Sequence, residues 1–173
     1  MKTLTDQLAQ YAAYHRDRRN IATHFVGIPM IVVAVATLLS RPSLDVAGWL
    51  SPALLVTTLT VAYYLLLDLR FGLTMAVAMA GSLWIGHWFA AQSTALWLAG
   101  GIGLFVVGWV LQFIGHYYEG KKPAFVDDLV GLVIGPLFVV AEAAFALGLR
   151  KDEMAHIEAR VGPTHIRTQA AQV

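Results

Sequence analysis

From Phe71 to Tyr118 the chain contains no Asp, Glu, Lys or Arg. A helix that crosses a bilayer needs roughly 20 mostly apolar residues, so this stretch is long enough for two. In hydrocarbon every exposed backbone N–H and C=O must be bonded within the chain, which makes such segments helical. The surrounding sequence extends the pattern: between Ile21 and Gly120 only Arg41, Asp45, Asp68, Arg70 and Glu119 are charged. Across all 173 residues 58% are hydrophobic and 13% charged. A soluble domain of this size has too little interior to hide that much apolar surface, and disorder is excluded more firmly. Twelve basic and 11 acidic residues give a net charge of +1, without the basic stripe that nucleic acid requires. The absence of cysteine removes disulfides, thiolate metal sites and thiol nucleophiles. Six histidines are left as the most versatile chemical groups.

The expected fold is therefore all-α, an integral membrane helical bundle. An amphipathic N-terminal helix precedes four to five hydrophobic segments. These run at about His24–Leu39, Trp49–Leu67, Phe71–Ala91, Ala95–Ile114 and Phe125–Leu149. Residues 1–150 read as one membrane domain and residues 151–173 as a polar tail, where His156 and His165 are expected to be solvated. The N-terminus MKTLTDQLAQ lacks the apolar core of a cleaved signal peptide. Leu4, Leu8, Tyr11 and His15 share one helical stripe, consistent with a helix resting on the membrane surface. Asn20 is a natural N-cap for the next helix, and Pro29 would kink it. The fifth segment is interrupted at Gly135-Pro136, where a re-entrant hairpin would bend. Arg16, Arg18 and Arg19 precede the first segment and Lys121 and Lys122 follow the fourth. The positive-inside rule then places both clusters on the cytoplasmic face.

This count puts His15, His24 and His116 at one membrane face. His15 and His24 are nine residues apart, about half a turn out of phase on one straight helix. A turn near Arg19-Asn20 would bring their rings together. Gln112, His116 and Glu119 share a face at i, i+4 and i+7. Three imidazoles at one face, with or without a carboxylate, suit zinc or ferrous iron; an interfacial helix end meeting lipid headgroups explains the same run about equally well. His87, within the third segment, is either a fourth ligand or a neutral histidine bonded to a carbonyl. Asp127 and Asp128 suit the cap of the fifth segment, or outer support of a metal. Glu142 is an intramembrane acid whose partner the sequence does not name.

The runs Tyr14-His15…Asn20…His24…Pro29 and Trp109-Val110-Leu111-Gln112-Phe113-Ile114-Gly115-His116…Glu119…Lys122-Pro123-Ala124…Asp127…Leu129 resemble the Mpo1-like family. The resemblance covers about Leu4 to Gly148. It implies an oxidoreductase of lipid metabolism, an iron(II)-dependent dioxygenase that does not use 2-oxoglutarate. The implied reaction is α-oxidation of a 2-hydroxy fatty acid, with dioxygen, to a fatty acid one carbon shorter. It also implies that His15, His24 and His116 hold Fe(II), with His87 less secure. Gln112, Glu119, Lys121, Lys122, Arg19, Asn20 and Asp127 would support the metal or meet the substrate, and basic side chains including Arg16 would attract its carboxylate. The expected location is a bacterial inner membrane, with the site at the cytoplasmic face. Two other classes fit the residues: a haem-binding electron-transfer protein ligated by His24 and His116, and a non-catalytic lipid-binding protein.

Overall fold

The computed structural model describes residues 2–44 and 48–168; Asp45 and residues 169–173 of the polar tail lie outside them. The described residues form seven α-helices: α1 (Leu4–Ala12), α2 (Arg18–Ser40), α3 (Pro52–Leu67), α4 (Leu69–Ala90), α5 (Thr94–Glu119), α6 (Val130–Ala146) and α7 (Lys151–Val161). A single 3₁₀ turn, Ala124–Val126, precedes α6. Among the described residues there is no strand, and one isolated bridge pairs Asp17 with His165. The all-helical membrane architecture expected from the sequence is the one observed.

Three helices, α2, α4 and α5, are long and apolar enough to cross a membrane. The second hydrophobic segment yields α3, which at 16 residues is shorter than such a span. The fifth yields α6, which continues through Pro136. The expected bend at Gly135-Pro136 is corrected: the chain turns between α6 and α7, which are inclined by 114°. Gly148 and Arg150 both have positive φ there, 74° and 55°. A proline removes one helical N–H but does not end a helix whose other bonds and apolar packing persist, whereas two left-handed residues do redirect the chain.

The helices form two compact units, whose boundary falls within α2 and within α5. One unit runs from Gly27 to Val110. There α3 and α4 pack together about Asp68, whose carboxylate caps α4 by accepting from the Phe71 N–H at 2.8 Å. Trp97 Nε1 donates to the Thr37 carbonyl at 2.8 Å and Arg41 lies over the Trp97 ring. Its large apolar side chains Leu59, Leu66, Val77, Trp84 and Ile102 are exposed, as lipid-facing residues are.

The other unit comprises the chain up to Val26 and from Leu111 onward. Here α1 starts in a capping box: Thr3 Oγ1 accepts from the Asp6 N–H, and the Thr3 N–H donates to the Asp6 carboxylate. Its buried face, Leu4, Leu8 and Tyr11, packs on α6 and α7. The amphipathic stripe thus covers protein, and the expected bed of membrane surface is corrected.

Candidate metal centre

The chain leaves α1 at Ala12 and enters α2 at Arg18, and the intervening turn carries His15. This turn lies earlier than Arg19-Asn20. Asp17, not Asn20, caps α2, because Asp17 Oδ1 accepts from the Arg19 N–H at 2.8 Å. Asn20 instead reaches across the site: its amide donates to the Tyr14 carbonyl at 3.2 Å and to Glu119 Oε2 at 3.1 Å.

Three histidines from three segments converge. His15 comes from the turn, His24 from the second turn of α2, and His116 from the last turn of α5. Each offers a ligand atom, and these atoms lie within 4.8 Å of one another. All three rings are buried: 0% exposed for His15, 1% for His24 and 6% for His116. His15 stacks flat on Tyr11, with ring centroids 4.1 Å apart.

The tautomers follow from the hydrogen bonds. His15 Nδ1 lies 2.7 Å from the Tyr11 carbonyl, and His24 Nδ1 lies 2.9 Å from the Asn20 carbonyl. A carbonyl only accepts, so each Nδ1 carries the proton. Each Nε2 of the neutral ring then presents a lone pair, and these two nitrogens face each other at 3.0 Å. Such a contact is favourable only with a proton or a metal ion between them. Burial holds His15 well below its ordinary pKa, and the neighbouring His24 adds to the effect. Buried neutral imidazoles whose Nε2 lone pairs converge are a donor set that zinc or ferrous iron accepts. The residues present fit a metal ion.

The close approach of α2 and α5 depends on Gly115. A Cβ at Gly115 would collide with Thr23 Oγ1 and Asn20 Oδ1, and would stand 3.2 Å from His24 Nδ1. Glycine beside His116 lets the two backbones approach.

The carboxylates surround the histidines rather than joining them. Glu119, 6% exposed, accepts from the N–H of Arg16 at 3.0 Å, from the N–H of Asp17 at 2.8 Å and from Asn20 Nδ2. With its lone pairs so engaged it fixes the turn that holds His15. Asp17 is wholly buried and binds Arg19 through Nε and Nη2 at 3.0 and 2.8 Å. That guanidinium keeps the Asp17 carboxyl below the ordinary carboxylate range.

The basic residues are mostly occupied. Lys121 donates to the Ala13 carbonyl at 2.7 Å, and Lys122 pairs with Asp127 at 2.6 Å. Asp127 also accepts from the Tyr14 hydroxyl at 2.7 Å, while its neighbour Asp128 receives the Val130 N–H at the start of α6. Arg16, buried, lies 3.5 Å from Glu142, which supplies the partner the sequence left unnamed. Gln112 is buried one turn before His116, and its Nε2 has no hydrogen-bond partner among the described residues. His87 is exposed on α4 and is not among the three convergent histidines. Arg16 lines a cavity of about 310 Å³ together with the apolar Ile21, Phe25, Phe145 and Ile157 and the charged Arg18, Glu142 and Glu158.

Sequence reasoning missed three participants. Gly115 was readable in principle, as a small residue beside a histidine in an apolar helix. Tyr11 lies on the amphipathic stripe expected to rest on the membrane surface, but its carbonyl carries no sequence signal. Arg167, which donates through its N–H to Asp17 at 2.8 Å and through Nη1 to the Glu119 carbonyl at 2.9 Å, sits in a segment that reads as solvated tail.

Comparison with known proteins bears on this geometry. No solved structure matches the chain. It is 31% identical over 157 residues to the 2-hydroxy-palmitic acid dioxygenase MPO1 of Saccharomyces cerevisiae, covering 90% of this chain and 87% of that one. The family model described as 2-hydroxy-palmitic acid dioxygenase Mpo1-like matches residues 1–147, the stretch that holds His15, His24 and His116. On both matches, the chain belongs to the Mpo1-like family.

Proposed function

We propose that the protein is a membrane-embedded, iron(II)-dependent dioxygenase that converts 2-hydroxy fatty acids to fatty acids one carbon shorter, without 2-oxoglutarate. One observation carries the metal half of this reading: two buried imidazole lone pairs face each other at 3.0 Å, with a third histidine alongside. The substrate half rests on kinship with a protein whose name gives 2-hydroxy-palmitic acid as its substrate.

His15, His24 and His116 would hold the ion. Three neutral imidazoles suit zinc or ferrous iron alike; membership in a family described as dioxygenases favours iron. When bound, ferrous iron supplies affinity for dioxygen and for a chelating 2-hydroxy carboxylate. The Tyr11 and Asn20 carbonyls hold His15 and His24 in the tautomer that frees Nε2. Glu119 keeps the His15 turn in place. The buried setting excludes bulk water from the reacting groups. Gln112 offers a buried N–H donor one helical turn from His116, suited to an oxygen of the substrate's carboxylate or hydroxyl. The 310 Å³ cavity beside Arg16 is apolar enough to take part of an acyl chain. The net change breaks the C1–C2 bond. With one dioxygen and no other reductant, atoms and electrons balance as the shorter acid, carbon dioxide and water.

The basic residues at the start of α2 and after α5 favour a cytoplasmic site in a bacterial inner membrane. A haem reading is disfavoured by crowding. The His24 and His116 ring centroids are 5.2 Å apart, and those of His15 and His116 4.9 Å, which leaves no slot for a macrocycle.

The test is a single-turnover assay. Iron-loaded protein is mixed anaerobically with 2-hydroxypalmitic acid and then exposed to oxygen. Pentadecanoic acid should appear only after oxygen is admitted and only in loaded protein. Equal product from metal-free protein, or none from loaded protein with bound substrate, would refute the proposal.

A further inference from the structure

The family match ends at residue 147, and the chain beyond α7 reads as polar tail. Residues Gly162–Arg167 nevertheless return to the histidine-bearing turn. The His165 N–H donates to the Arg16 carbonyl and the Arg18 N–H donates to the His165 carbonyl, each at 2.9 Å. Arg16 Nη1 donates to the Gly162 carbonyl at 3.1 Å. The Arg167 N–H donates to Asp17 Oδ2 at 2.8 Å, and the Arg167 carbonyl accepts from Arg19 Nη2 at 2.8 Å. The Arg167 side chain then crosses to α5, where Nη1 donates to the Glu119 carbonyl at 2.9 Å. That carbonyl is one of those a helix C-terminus leaves without an intrahelical partner, and a cation suits it.

The same guanidinium also constrains Gly120. Its φ is +68°, and a Cβ built there would coincide with the Arg167 guanidinium. The residue after α5 is thus one that accepts a left-handed backbone and leaves room for this side chain.

We infer that Gly162–Arg167 is a strap that positions the metal centre, and that Arg167 is its positioning residue. Arg167 joins Asp17, which caps α2, to the carbonyl end of α5. The first helix carries His24, the second carries His116, and the turn between Asp17 and α1 carries His15. Among the described residues, the strap hydrogen-bonds to Arg16, Asp17, Arg18, Arg19 and Glu119 of these segments and to none of the three rings. It acts through the segments that bear them, as outer supports of metal ligands do. The metal half of this inference rests on the function proposed above; the ordering of the turn does not.

The experiment uses three full-length variants in detergent micelles. Arg167→Ala removes the bond to α5. Gly120→Ala displaces the guanidinium while leaving Arg167 in place. His165→Pro deletes the N–H that bonds Arg16. Amide hydrogen exchange over residues 13–20, without metal, should accelerate in all three, with unchanged helix content by circular dichroism. Arg167→Lys should restore part of the protection, because an ammonium can reach the same carbonyl. Co(II), added as a spectroscopic probe, should bind roughly tenfold or more weakly and with a shifted ligand-field band. Wild-type exchange rates in Arg167→Ala and Gly120→Ala would overturn the strap. So would unchanged Co(II) affinity and spectrum in those variants. Should wild-type protein bind no Co(II), the metal reading fails, and hydrogen exchange alone decides the strap.

Discussion

The two compact units bury different chemistry. The unit between Gly27 and Val110 hides almost no polar side chain; Thr37 stands out among its buried residues. Its helices meet through small residues, as at Gly86, where a Cβ would stand 2.6 Å from the Ala36 carbonyl carbon. The other unit buries His15, Arg16, Asp17, Asn20, His24, Gln112, His116 and Glu119. Burying so many polar groups costs stability unless each is paired, and most of them are. The first unit is built as membrane protein generally is, by close packing. The second accepts a polar interior that its packing alone does not require, and such an interior marks a functional site.

The largest effects should come from the histidines proposed to hold the ion. His24→Ala or His116→Ala should lower metal affinity by more than the roughly 10–100-fold typical of outer-shell changes, and abolish oxygen-dependent turnover. Metal titration followed by the single-turnover assay reads both. The same change at His87, exposed on α4, should leave metal affinity within about twofold of wild type.

Next come glycines, which contrast the units directly. Gly115→Ala should force α2 and α5 apart and destabilise by about 1–3 kcal/mol, with a loss of metal affinity. Gly103→Ala, where a Cβ meets nothing within 4 Å, should be neutral or stabilising by up to about 1 kcal/mol. Thermal melts of the two proteins compare them. Equal losses would erase the distinction between a packed site and an open helix face.

Glu119→Gln should weaken metal binding by roughly 10–100-fold while leaving all three histidines in place. One carboxylate oxygen becomes an NH₂ that faces N–H donors from Arg16, Asp17 or Asn20. A metal titration at constant pH checks it.

The smallest effect concerns acid stability. The Asp17 carboxyl is held below its ordinary value of 3.8, first by its bonds to Arg19. A depressed folded pKa gives stability that is fully present above about pH 4 and is lost as pH falls below it. Asp17→Asn should therefore flatten the dependence of melting temperature on pH in that acid window. An unchanged slope would show that the cap contributes nothing.

Much of the fold was legible because hydrocarbon imposes a strict rule on backbone and charge. The charge-free run from Phe71 to Tyr118 became α4 and most of α5. Counting four spans put His15, His24 and His116 at one face; the three do converge, although α3 is shorter than a span and the count itself is not what the helices show. What the sequence concealed was set by contacts between distant residues. Asn20 looked like a cap, and its amide is instead engaged by Glu119. Gly135-Pro136 looked like a bend, and helix packing carried α6 through it. The tail looked solvated because its bonds to Arg16, Asp17 and Arg18 are made by its backbone groups, which carry no sequence signature.

The central claim is that one ion is held by His15, His24 and His116. X-ray absorption at the iron edge tests it most directly, on protein loaded with ferrous iron and purified without a polyhistidine tag. The account predicts one iron per chain with scattering from three imidazole rings, falling to two or to no bound iron in His24→Ala. Iron retained with the same shell after that substitution, or a shell without imidazole, would contradict it.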